Sequence, residues 1–323
     1  MDELNYVGNE SQLYSVEEVT LHNGKREGTR LLIVKNKVGL EMRINLDRCF
    51  DICGLSLKST NLCYISPNNI VNSKYYDNKG LGFLKSFTAG FLTTCGLTQV
   101  GSPNNDLGED LPLHGTISNT PVDHYLYEIT NEAIILKGII LDEGIFSHKL
   151  KLIRVITISL NENIFTIKDL VENRGDEKTP LEILYHMNLG YPLLDENLIL
   201  EIPSSEVNFR DKEAEKYRNY LEVENPQKGF VERCYYHYFS TDLISVKAYN
   251  PKIKKGVKIS YDKTQLPFFT ERKLNGVRDY VLGLEPGNCL PDGRNVMREK
   301  GLLSYIDSKE IKEFELKIEL LEE

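Results

Sequence analysis

Leu150-Lys-Leu-Ile-Arg-Val-Ile-Thr-Ile158 is the stretch that decides the fold. It is rich in β-branched and aliphatic residues, keeps a period of two, and is followed by the turn signal Asn161-Glu-Asn163, so it reads as a strand. The same pattern returns in Leu31-Leu-Ile-Val-Lys35, Leu40-Glu-Met-Arg-Ile-Asn-Leu46, Ala133-Ile-Ile-Leu-Lys137 and Ile164-Phe-Thr-Ile-Lys168. Leu243-Ile-Ser-Val-Lys-Ala-Tyr249, Val257-Lys-Ile-Ser-Tyr261 and Phe314-Glu-Leu-Lys-Ile-Glu-Leu320 extend it to the end of the chain. Asn23-Gly24, Asn173-Arg-Gly175, Lys255-Gly256 and Asn275-Gly276 are turn signals between these runs. Helical periodicity is scarce. One short helix is expected over Asp211 to Leu221, capped by Asp211, and a second around Leu81 to Phe87. No repeat, linker or shift of composition interrupts the strands, so the expectation is one all-β domain over residues 1–323, a large antiparallel β-sandwich.

Bulk properties exclude several function classes. A chain of 323 residues, 41% hydrophobic and 27% charged, has the composition of a soluble globular protein. Its net charge is -9, with Lys and Arg scattered, which argues against nucleic acid as a partner. No apolar run approaches the roughly 20 residues of a membrane helix, and Met1-Asp-Glu-Leu-Asn-Tyr6 lacks the features of a signal peptide, so the expected setting is cytoplasmic with no membrane partner. The six cysteines, at 49, 53, 63, 95, 234 and 289, form no Cys-x-x-Cys pair and read as reduced, buried thiols.

Three segments carry polar groups on strand-like backgrounds. In Tyr280-Val-Leu-Gly-Leu-Glu-Pro-Gly-Asn288, alternation puts Val281, Gly283 and Glu285 on one face. Pro286 cannot donate to a sheet ladder, so pairing should end just after the acid, and Gly283 leaves a gap beside it. In Thr179-Pro-Leu-Glu-Ile-Leu-Tyr-His-Met-Asn-Leu-Gly-Tyr-Pro192, Leu181, Ile183, Tyr185, Met187 and Leu189 read as core, while His186 and Asn188 share the other face. In Leu111-Pro-Leu-His-Gly-Thr-Ile-Ser-Asn119, His114 precedes a glycine, where a turn role and a site role are both open.

Leu113-His-Gly, Tyr185-His-Met-Asn-Leu and Leu284-Glu-Pro-Gly, in this order, resemble the galactose mutarotase (aldose 1-epimerase) superfamily. Leu46-Asp-Arg-Cys-Phe-Asp-Ile52, Ala89-Gly-Phe-Leu-Thr-Thr-Cys-Gly-Leu97 and Leu184-Tyr-His-Met-Asn-Leu-Gly-Tyr-Pro192 extend the resemblance to an uncharacterised branch of it, from about residue 40 onward. The resemblance implies a β-supersandwich with an open cleft, a small-molecule carbohydrate as partner, a role in carbohydrate metabolism, and no metal or organic cofactor. It assigns Glu285 as general base and His186 as general acid, with His114 at the ring oxygen or a neighbouring hydroxyl. A base removes the anomeric hydroxyl proton while an acid protonates the ring oxygen; the ring opens, rotates about its first carbon–carbon bond and recloses. Both groups then titrate best near neutrality, which for a glutamate requires desolvation.

The pattern also departs from the superfamily. Its arginine has no counterpart in Ala89-Gly-Phe-Leu-Thr-Thr-Cys-Gly, and its sugar-binding aspartate has no matching motif, leaving Glu232 and Asp242 as options. Further substrate-binding candidates are Asn188, Arg48 and Asp51, the latter two on one face only if a bulge at Cys49 allows it. Lys273 and Arg294 flank the Glu285 strand; in the cleft they would favour an anionic sugar. A non-catalytic carbohydrate-binding protein with the same cleft is the competing function. A metal site of His114, His186 and Glu285 lacks supporting spacing, and a polysaccharide lyase would need a helical half that the chain lacks. A homodimer is compatible with the sequence.

Overall fold

The computed structural model describes residues 3–323 and is built from antiparallel sheet. Lys149–Ser159 pairs along its length with Ala133–Glu143 on one side and Ile164–Asn173 on the other, and the closing strand Ile311–Glu322 adds to the latter. These four belong to an eight-stranded sheet. A five-stranded sheet holds the N-terminal strands from Ser15–Thr20 to Thr60–Asn61, and a six-stranded sheet carries the candidate site. Together they form a large antiparallel β-supersandwich.

Alternation explains how the sheets stack. In Lys149–Ser159 every second residue is buried, so Leu150, Leu152, Ile156 and Ile158 face inward. They join one apolar core with Met42 and Ile44 of the five-stranded sheet and Ile183, Met187 and Leu284 of the six-stranded one. Each such side chain contributes on the order of 1.5–3 kcal/mol by leaving water. Arg154 falls on the same inward face and is fully buried. Its Nε and Nη2 meet the two oxygens of Asp169 (2.9 and 2.6 Å), its Nη1 meets Asp51 Oδ1 (2.7 Å), and the Tyr185 hydroxyl donates to Asp169 (2.8 Å). A buried ion pair is tolerable when its remaining hydrogen-bonding capacity is filled, as here. This network fastens the back of the strand that carries His186.

The six-stranded sheet comprises β1 (Leu92–Leu97), β2 (Glu182–Leu189), β3 (Glu206–Phe209), β4 (Arg233–Tyr238), β5 (Phe268–Asn275) and β6 (Tyr280–Gly287). Its spatial order is β3-β4-β5-β6-β2-β1.

Helix is confined to short pieces. Asp211 caps α1 (Lys212–Lys216) as expected, accepting the Glu213 and Ala214 N–H groups, but the helix stops short of Leu221. Tyr217 breaks it: its carbonyl accepts the Tyr235 hydroxyl and its ring lies under the Arg233 guanidinium. The Leu81–Phe87 region holds one 3-10 turn, Gly82–Lys85. A further helix, α2 (Arg294–Glu299), is too short to leave a periodic signal. All six cysteines are free and buried. No helix among the described residues is long and apolar enough to cross a membrane.

Candidate functional site

The register of the six-stranded sheet assembles the site. Antiparallel pairing sets Asn188 opposite Gly283 and Met187 opposite Leu284, which carries His186 alongside Glu285 on adjacent strands. Their Nε2 and Oε1 atoms lie 3.1 Å apart, and the residues are 3% and 1% exposed. On the other side of β6, Arg272 of β5 faces Gly283, and Cys234 of β4 faces Arg272. Gly283 is required by this packing. A methyl group there would collide with Glu285 Oε1 and stand 3.1 Å from Arg272 Cβ. The gap expected beside the acid exists, and the carboxylate leans into it.

These groups open onto a cleft of about 260 Å³. His186, Glu285, Arg272, Glu232, Arg210 and Cys234 form its floor and polar end, and His114 enters from a loop. His114 has a left-handed backbone (φ 58°), which turns the loop so that Nδ1 can accept the Gly101 N–H (3.3 Å). That bond leaves the proton on Nε2. Phe83 and Phe87 complete a closed ring of four side chains: Phe83 to His114 (5.4 Å between centroids), His114 to His186 (5.8 Å), His186 to Phe87 (5.7 Å) and Phe87 to Phe83 (5.2 Å).

Glu232 ties the two arginines together. Its Oε2 receives Arg272 Nε (2.7 Å) and Nη2 (2.5 Å), and its Oε1 receives Arg210 Nη1 (2.8 Å). Arg210 is held further by Asp211 (3.0 Å) and touches Cys234 Sγ (2.9 Å).

Burial and this array set the proton positions. Burial pushes the Glu285 carboxyl up to about 8, with nearby Arg272 working against the rise. Burial, reinforced by the Arg272 charge and by His114, holds His186 well below the usual imidazole range. The same two influences, burial and Arg272, lower His114 to about 4. Glu232 is the exception: burial alone would raise it, but the two guanidinium groups outweigh burial and hold it down to about 2. At neutral pH the pair therefore rests as a carboxylic acid beside a neutral imidazole, one proton shift away from carboxylate and imidazolium. His186 Nδ1 has no hydrogen-bond partner in the protein, and Glu285 Oε1 has none beyond its contact with His186 Nε2. Buried polar atoms are rarely left so, and both residues line the cleft.

Of the remaining sequence candidates, five lie outside the cleft lining. Asn188 is fully buried, and its Nδ2 donates to the His186 carbonyl (2.9 Å). Lys273 follows Arg272, so alternation points it to the opposite face, where it meets Glu271 (3.1 Å) and the Tyr220 and Glu222 carbonyls. Arg294 is locked between Asp106 (2.6 Å) and Glu109 and borders a separate groove. Arg48 and Asp51 are separated by a tight turn, with Cys49 and Phe50 in the left-handed region, rather than by a strand with a bulge at Cys49. Arg48 secures the Val71 carbonyl (2.7 Å) and Asn119, while Asp51 accepts from the Thr94 N–H (2.9 Å) and hydroxyl (2.6 Å). Asp242 sits in an exposed turn, leaving Glu232 as the option that reaches the cleft. Among the described residues no three His, Cys, Asp or Glu side chains converge as metal ligands would.

Sequence reading passed over Arg272, Arg210, Cys234, Phe83 and Phe87. Alternation within Phe268–Asn275 separates Arg272 from Lys273, but only the long-range pairing with Gly283 shows which of the two faces the acid.

Known proteins place this arrangement in a context. A crystal structure from Klebsiella pneumoniae, named a "putative aldose 1-epimerase", superposes with a TM-score of 0.92 at 24% identity, covering 98% of this chain and 87% of that one. A galactose mutarotase-like protein from Clostridium acetobutylicum superposes at 0.69 with 13% identity, covering 97% of this chain and 100% of its own. Galactose 1-epimerase from Lactobacillus acidophilus gives 0.62 with 13% identity, covering 96% and 99% respectively. At these identities the likeness is one of fold. No curated protein sequence matches the chain significantly. A family model described as "Domain of unknown function (DUF4432)" matches residues 26–320, nearly the whole length, and the chain belongs to that family.

Proposed function

We propose that the protein is an aldose 1-epimerase-type isomerase that interconverts the anomers of a sugar through His186 and Glu285. The observation that supports this reading is the contact between these two buried side chains, both of which line the cleft. Ring opening moves two protons: one leaves the anomeric hydroxyl, and one reaches the ring oxygen as its bond to the first carbon breaks. Glu285 as carboxylate takes the first, and His186 as imidazolium gives the second. One proton shift across 3.1 Å converts the resting neutral pair to that form, and the same contact restores it after reclosure. The pair needs no proton from solvent within a turnover.

Arg272 and Glu232, a mutually paired cation and acid in the cleft lining, are the groups available to the sugar hydroxyls, in place of the arginine and aspartate that have no counterpart motif in the sequence. His114, with its proton on Nε2, is available to the ring oxygen.

Magnetisation-exchange NMR over a panel of neutral and acidic aldoses tests the reading. Accelerated exchange between anomers supports it. Saturable binding of a sugar with no acceleration of any panel member would establish the non-catalytic binding protein instead.

A further inference from the structure

The cleft changes character across the sheet, and the change has a direction. Arg210 follows β3 and Glu232 precedes β4; Arg272 lies on β5, Glu285 on β6 and His186 on β2. Past β2 the lining turns mostly apolar, with His114 the one ionisable side chain there among the described residues. Leu81, Phe83, Leu84, Phe87 and Leu113 line that end, with the exposed Ser102 at its rim. Phe87 packs edge-on to His186 and Phe83 against His114, so this apolar surface begins directly beside the proposed acid.

A pyranose laid over these residues has little freedom. With the anomeric oxygen at Glu285 and the ring oxygen at His186, the second carbon lies toward Arg272 and Glu232. The fifth carbon, bonded to the ring oxygen, lies toward Phe87. Its exocyclic carbon then enters the apolar end. A hydroxyl seated against Phe83, Leu84 and Phe87 would leave water without gaining a partner from those side chains, whereas a methyl group would be buried favourably. The charged end offers no free cation either. Both arginines are bound by Glu232, and Arg210 also by Asp211. Lys273 and Arg294 are engaged elsewhere.

Resting on the ring-opening reading above, we infer that the preferred substrate is an uncharged aldose lacking a hydroxyl on its exocyclic carbon, a 6-deoxyhexose, whose methyl group seats against Phe83, Leu84 and Phe87.

The test compares sugars that differ only at that carbon. Anomer exchange is measured by magnetisation-exchange NMR on matched pairs: 6-deoxyglucose with glucose, fucose with galactose, and rhamnose with mannose, each pair of one handedness, plus glucuronic acid. The expected result is a kcat/KM about tenfold or more higher for the deoxy member of at least one pair, the range in which an apolar pocket discriminates against an added hydroxyl. Glucuronic acid should be the poorest substrate. The exposed Leu84 supplies the second arm. Leu84→Gln offers the missing partner at the mouth and should shrink the ratio severalfold, mainly by improving the hexose. Acceleration in which every parent hexose or the uronic acid equals or exceeds the deoxy sugar overturns this inference and leaves ring opening standing. Acceleration of no sugar overturns the ring-opening reading and this inference with it.

Discussion

The six-stranded sheet holds two buried histidine–glutamate pairs, and only one has the features of a reaction centre. His186 Nε2 and Glu285 Oε1 are 3.1 Å apart across β2 and β6; His237 Nε2 and Glu271 Oε2 are 3.1 Å apart across β4 and β5. Their surroundings differ. His237 Nδ1 meets the Ser204 hydroxyl (2.7 Å), Glu271 Oε1 meets the Lys273 ammonium (3.1 Å), and the imidazole packs against Tyr220 and Phe269. That pair is closed off from the cleft. His186 Nδ1 has no partner, and both His186 and Glu285 line the cleft. Distance between an acid and a base is therefore a weak guide. Unfilled hydrogen-bonding capacity that faces a cavity is the stronger one.

The largest expected effect sets the two histidines against each other. His186→Ala should lower anomer exchange by about 100 to 10,000-fold while the protein stays folded. His237→Ala should leave exchange within severalfold of the parent but cost about 3 kcal/mol of stability, because Glu271 and Lys273 lose part of a buried network. Exchange rates with urea unfolding on both variants decide this; equal loss of exchange in both would erase the distinction.

Gly283→Ala comes next. The added methyl group displaces the Glu285 carboxylate without demanding a new backbone conformation, so exchange should drop about 100-fold with little change in melting temperature. Exchange unaffected by this change would show that the carboxylate position is unimportant.

Arg272→Met and Lys273→Met form a smaller, adjacent contrast. The first faces the cleft and should raise KM about tenfold or more; the second faces the closed pair and should move KM less than about twofold while lowering stability. Steady-state kinetics with thermal melts reads both.

The smallest effect is a displacement in pH. The reacting pair needs one proton in addition to the one a neutral imidazole keeps. Burial raises Glu285, so that proton is retained until pH passes about 8 and activity should decline above it. Burial lowers His186, so the second protonation that removes the base occurs well below pH 6.5. A kcat/KM profile with its alkaline limb near 5, where an ordinary carboxyl would be losing its proton, would contradict the proposed burial effect.

Much of this was legible in the sequence, for a local reason. Strand alternation is written in period-two patterns, so the all-β class, the inward faces of Ile183, Tyr185 and Met187, and the shared face of Gly283 and Glu285 could all be read directly. Asp211 announced a helix start because capping needs only the next few residues. Strand partners were not legible. Which side of Phe268–Asn275 faces Glu285 depends on a register set by the whole sheet, so Lys273 drew attention that belonged to Arg272. Glu232 and Arg210 come together only because β3 and β4 are neighbours. Arg48 and Asp51 had the chemistry of ligand contacts, but they line a small separate cavity behind Phe83 and Phe87, with Arg48 Nε held by the Val71 carbonyl and Asp51 by Arg154.

Glu285→Gln tests the central proposal most directly, because it keeps the size of the side chain and removes only its ability to exchange a proton. With the preferred sugar at pH 7, the account predicts that enzyme-catalysed anomer exchange falls at least 100-fold while sugar binding persists within severalfold. Exchange by Glu285→Gln at the rate of the unmodified protein would contradict it.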